Sequence, residues 1–143
     1  MATEKNCTIE AVSIKTHQRV SLINFLESHD YIVTHIKGSV YRISREQLEV
    51  FLNIDEHNLF FEVEVGSVNS LKSENFYKNL LDLNTEILPV SLALDTVSTK
   101  EPRLIIVESR ERKNLDENEV LSVLEAMEIA ITKVEILVSQ MLS

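Results

Sequence analysis

The sequence predicts an α+β fold: an antiparallel sheet with helices on one face, element order αβββαββα, ending in a long amphipathic C-terminal helix. Three observations carry this. Val50, Leu52 and Ile54, and then Leu59, Phe61, Val63 and Val65, recur at every second position. Leucines and aromatics return to helical spacing at 76–83. Apolar residues at Val120, Leu124, Met127, Ile131, Val134, Val138 and Met141 then form a heptad-like stripe to the end of the chain. Strands joined by hairpins with helices between them favour an antiparallel sheet over a parallel doubly wound one.

The elements follow in order. Residues 1–12 read as a lead-in, partly ordered by Ile9 and Val12. "KTHQRVSLINFLESHD" predicts a first helix, with Val20, Ile23 and Leu26 on one face and Thr16 as its cap. "YIVTHIK" turns at Gly38 into "VYRIS". Val50, Leu52 and Ile54 form the next strand, "DEHN" the turn, and Leu59, Phe61, Val63 and Val65 its partner. Phe51 and Phe61 are expected in the core, and Phe60 on the opposite face with Glu62 and Glu64. Ser44 and Gln47 also match a capping box, so a short helical turn competes at that boundary. Ser73 is placed to cap the helix of Phe76, Leu80 and Leu83, with Tyr77 and Leu81 beside the stripe. Asn84 ends that helix. Pro89 forbids helical geometry at Leu88 and is expected to open a strand with Val90, Leu92 and Leu94 facing one way. "RLIIVES" is its hairpin partner. Asp116 and Glu119 form an acidic capping box for the last helix.

A length of 143 residues with 44% hydrophobic residues fits a single domain over 1–143 with a real core. The net charge is −9. Residues 1–79 hold 11 acids and 8 bases, and residues 80–143 hold 12 acids and 6 bases, so neither half offers a basic surface for nucleic acid. One cysteine, Cys7, rules out an internal disulfide and fits a reducing cytoplasm. No apolar run approaches the ~20 residues of a membrane span, and no signal peptide or membrane insertion is expected.

His17, His29, His35 and His57 lack the tight spacing of a zinc site. Cys7 has no adjacent base. Gly38 and Gly66 are isolated, so there is no phosphate-cradling loop. Arg110, Arg112 and Lys113 cluster in "ESRERKN" and read as a solvated turn whose arginines pair with the acids of the next helix. No catalytic residue, cofactor or metal is expected, and the protein is read as a non-enzyme.

The stretch "LLDLNTEILPVSLALD", with Leu83-Asn84, Leu88-Pro89 and Ala93-Leu94, resembles type III secretion chaperones, including the Tir-chaperone-like proteins, and the related bacterial sensory transduction regulator (YbjN-like) domains. The resemblance extends over about residues 15–142 and implies a non-enzymatic, usually dimeric protein that binds other polypeptides.

The expected function is therefore a cytoplasmic, non-catalytic protein-binding domain, chaperone-like or regulatory, taking another protein or a peptide segment. Val50, Leu52 and Phe60 on the sheet and Leu121 and Leu137 on the helix are the candidate partner-binding residues. Two alternatives are a ligand-binding regulatory adaptor, with an apolar pocket between the sheet and the C-terminal helix, and a domain of this fold without chaperone activity. The last helix, 27 residues from Asp116 to Leu142, would be about 40 Å long. Its stripe reaches Met141, and Val123, Ile129 and Ile136 add apolar groups off it. A homodimer is expected to cover the overhang, with Val134, Val138 and Met141 at the interface.

Overall fold

The computed structural model describes residues 7–15, 19–67 and 73–142. The fold is the expected antiparallel α+β arrangement. A six-stranded sheet has the spatial order β3-β4-β5-β6-β8-β7, and a separate two-stranded sheet joins β1 and β2. The chain divides into two compact units, residues 1–62 with 109–122, and residues 63–108 with 123–143.

In the first unit a 3-10 turn at Ile9–Ala11 leads into a hairpin of β1 (Ser13–Lys15) and β2 (Arg19–Ser21). Ile9, Val12 and Ile14 are buried, and Ile14 lies opposite Val20. This corrects the expected first helix. Helix α1 is only Leu22–Ser28, and the expected cap Thr16 lies outside the described residues. The physical reason is that Val12 and Ile14 bury at a period of two. The Leu22 amide then donates to the Val12 carbonyl at 2.8 Å, and the Ser21 hydroxyl accepts from the Asn24 amide at 3.2 Å, which starts the helix late.

Next come β3 (Ile32–Lys37), β4 (Val40–Arg45), β5 (Leu48–Ile54) and β6 (Asn58–Ser67). Gly38, at φ +51°, supplies the left-handed residue of the β3–β4 turn. The Ser44–Gln47 capping box forms no helix. Arg45 pairs with Leu48 across a two-residue turn in which Glu46 takes a left-handed φ of 55°. Burial of Ile43, Leu48 and Val50 in register outweighs the local cap. Asp55 closes the β5–β6 turn, its Oδ1 accepting from the amides of Asn58 at 2.6 Å and His57 at 2.8 Å. Those bonds, led by Asn58, hold its carboxyl below the ordinary aspartate value.

Phe61 is buried and Phe60 exposed, opposite neighbours on one strand. Phe51 departs from the expected core position. It is half-buried and pairs with Arg42 and Glu62 on the wet face, as its alternation with Val50 and Leu52 demands. Arg112 reaches backbone groups on two distant turns. Its guanidinium donates to the backbone carbonyls of Asp55 at 2.9 Å and Ala11 at 3.2 Å, and its amide to that of His57 at 2.8 Å. The cluster's central arginine is thus a clasp between the β5–β6 turn and the 3-10 turn. Asp116 and Glu119 form the reciprocal capping box: the Glu119 amide donates to Asp116 Oδ1 at 2.8 Å, and the Asp116 amide to Glu119 Oε2 at 3.0 Å. They open α3 (Glu117–Leu142).

The second unit holds α2 (Glu74–Leu83), β7 (Ser91–Asp95), most of β8 (Arg103–Glu111) and the remainder of α3. Phe76, Leu80 and Leu83 of α2 are buried, as are Val123, Leu124, Met127 and Val134 of α3. Val123 therefore belongs to the core. Ile129 and Ile136 remain 54% exposed.

Candidate functional site

Helix α2 forms because Ser73 accepts from the Phe76 amide at 3.0 Å and because its apolar residues recur every three to four positions. It ends at Asn84. Residues 84–90 then make successive turns, so β7 opens at Ser91, two residues beyond Pro89; the Leu88–Pro89 bond is cis. Asn84 also reaches across this gap: its side-chain oxygen accepts from the Leu92 amide at 2.6 Å. The bond holds the helix end beside the start of β7.

Between them lies a groove of about 190 Å³, lined by Tyr77, Leu80, Leu81, Asn84, Leu92, Ala93, Leu94 and Leu104. Leu81 is 68% exposed and Leu94 40% exposed, so two leucines stand at the groove instead of in the core. Ala93 carries only a methyl group where the strand's neighbours carry leucines, which leaves room between helix and strand. The volume is below the ~300–1,000 Å³ usual for small-molecule sites and suits an apolar side chain. β7 is the last strand of its sheet. At its end Asp95 is held by Arg103, whose Nη2 and Nε donate to Asp95 Oδ2 at 2.6 and 3.1 Å, while Arg103 Nη1 lies 3.4 Å from Glu64. The Asp95 carboxyl sits well below the ordinary aspartate range, chiefly through the Ser98 amide and then through Arg103 and the Val97 amide.

A second, more open cavity of about 460 Å³ lies between α2 and the second half of α3. Its lining mixes Leu83, Ile136 and Leu137 with Asn79, Asp82 and Gln140, and Lys133 pairs with Glu86 across it at 3.5 Å.

The residues singled out from the sequence do not converge on one place. Val50 and Leu52 are fully buried and offer no surface. Phe60 is 43% exposed on the wet sheet face, opposite Asn53. Leu121 is half-buried, and Leu137 lines the mixed cavity. Val134 is buried within its own chain, whereas Val138 and Met141 are half-buried, Met141 Sδ lying 3.9 Å from Asn79 Nδ2. The groove residues Leu81, Ala93 and Leu94 stand in the sequence reading as packing positions and as part of the family resemblance, not as a binding site. The available signal was Leu81 lying off the stripe of Phe76, Leu80 and Leu83.

His29 and His35 take local partners, the carbonyls of Phe25 at 3.0 Å and Gly38 at 2.8 Å. Among the described residues no His, Cys, Asp and Glu cluster could hold a metal ion, and no helix is long and apolar enough to cross a membrane.

The profile of the CesT_Tir_1 family, a type III secretion chaperone family, matches residues 15–142. The chain belongs to that family. Its membership supports a non-catalytic, protein-interacting role for this chaperone-family chain. No curated protein matches it. Among solved structures, the chaperone-family chain is similar to the crystal structure of YbjN from E. coli, described as a candidate transcription regulator. The two share 13% identity over 80% of this chain and 88% of that one, with a TM-score of 0.56. At that identity the likeness is one of fold.

Proposed function

We propose that this protein is a non-catalytic, chaperone-like binding domain of the cytoplasm that receives an apolar side chain of a partner polypeptide in the groove between α2 and β7. The observation that carries this is the pair Leu81 and Leu94, both exposed beside an apolar groove too small for most metabolites. Membership of a secretion chaperone family supports a polypeptide as the occupant. β7 adds a terminal strand along which an extended segment would lie. A small-ligand adaptor is less well supported: ligand sites use a few convergent polar groups, and no polar or charged side chain is buried among the described residues.

The test is photo-crosslinking in the native cell with a benzophenone amino acid at position 81 or 94, and at exposed Glu125 as control. Discrete protein adducts from 81 and 94, missing from 125, are expected. Equal adducts from all three positions, or none from the groove, would count against the groove.

A further inference from the structure

The cavity of about 460 Å³ between α2 and the second half of α3 is a trough with two matching walls. Asn79, Asp82, Leu83 and Glu86 line one, on α2 and the turn that follows it. Lys133, Ile136, Leu137 and Gln140 line the other. Each set falls at i, i+3, i+4 and i+7, so each wall is one stripe along two helical turns, roughly 10 Å. The walls run antiparallel. Glu86 lies 3.5 Å from Lys133 at one end, and Asn79 Nδ2 lies 3.9 Å from Met141 Sδ at the other. Buried Leu83 and half-buried Leu137 supply apolar lining, and Ile136 beside them is exposed. Asp82 and Glu86 are exposed acids, and the one base of the lining, Lys133, is paired with Glu86.

We propose that this trough docks a basic amphipathic helix of another polypeptide. Two antiparallel stripes with the same helical spacing form a groove that the ridge of a third helix fills. An apolar residue of the partner would pack on Leu83, Ile136 and Leu137. A lysine or arginine one turn away would lay its aliphatic stem on Ile136 and bring its charge to Asp82. Charge decides against a second copy as the occupant. Helix α1 carries Glu27 and no base, α2 carries Glu74 and Asp82 against Lys78, and α3 carries five acids against one base. Each described helix of this chain is therefore acidic and would be repelled by the trough. The trough shares no lining residue with the groove of α2 and β7, and the two stand or fall independently.

Fluorescence anisotropy with the full chain tests it. The probe is a labelled leucine–lysine peptide with its leucines spaced every three and four residues. The same peptide with each lysine replaced by glutamate should bind at least about tenfold more weakly. Ile136→Asp should weaken the leucine–lysine peptide at least about tenfold. That substitution adds negative charge, so mere attraction to a chain of net charge −9 would instead tighten binding. Asp82→Lys should weaken the peptide as well, whereas Leu81→Asp with Leu94→Asp should leave it unchanged. Ile136 and Asp82 are exposed, so far-UV circular dichroism should not move in either variant. Equal affinity for the two peptides, indifference to Ile136→Asp, a loss confined to the Leu81 and Leu94 variant, or equal binding of a peptide of residues 117–142 of this chain would each overturn the proposal.

Discussion

The side-chain oxygen of Asn84 accepts a hydrogen bond from the backbone amide of Leu92 at 2.6 Å, tying the C-cap of one helix to the second residue of the strand that follows. This one contact fixes the spacing of the two walls of the groove. Asn84→Ala leaves a part-buried amide without its acceptor, and we expect a loss of about 1–3 kcal/mol in urea melts. An unchanged midpoint would mean that water replaces the side chain.

Helix α2 offers an internal comparison. Phe76 is fully buried and Leu81 is 68% exposed, five residues later on the same helix. Phe76→Ala should cost about 3–5 kcal/mol, whereas Leu81→Ala should fall within about 0.5 kcal/mol of wild type. Equal losses in the same denaturation assay would put Leu81 in the core.

Asp95 makes stability depend on pH in a definite direction. Its folded carboxyl lies well below the ordinary value, held there by the Ser98 amide, Arg103 and the Val97 amide. Its contribution is therefore present above the unfolded value of about 4 and is lost as pH falls through the folded value. Asp95→Asn should lower the melting temperature at neutral pH, and its gap from wild type should close as the pH falls below about 4. A gap that stays constant over that range would show that the charge plays no part.

Arg112 reaches two backbone carbonyls far apart in sequence, those of Asp55 and Ala11. Arg112→Lys keeps the charge and loses the planar fork that spans both. We expect a loss on the order of 1–2 kcal/mol, and faster amide exchange at Val12 and Asn58 by hydrogen-exchange mass spectrometry.

How far the sequence carries depends on which force dominates locally. The β5–β6 hairpin was legible because Leu59, Phe61 and Val63 bury at a period that no helix shares. The caps at Ser73 and at Asp116 with Glu119 were legible because each uses residues within one turn. Residues 13–21 were not, since Val20 fits a helical stripe and a short strand equally well until Ile14 is known to lie opposite. The Ser44–Gln47 box failed for the converse reason: a local cap yielded to cross-strand pairing. The groove was the least legible feature. It depends on Ala93 leaving space against Leu81 and Tyr77, residues distant in sequence and unremarkable one by one.

The central claim is that the groove of α2 and β7 binds an apolar side chain of a polypeptide. The most direct measurement is titration calorimetry of peptides selected on the wild-type protein from a random display library, repeated with Leu81→Asp and Leu94→Asp combined. Both side chains are exposed, so the fold should survive the change. The selected peptides should share an apolar anchor and lose at least about tenfold in affinity, or 1.4 kcal/mol, on the variant. Equal affinity for the two proteins would contradict the account.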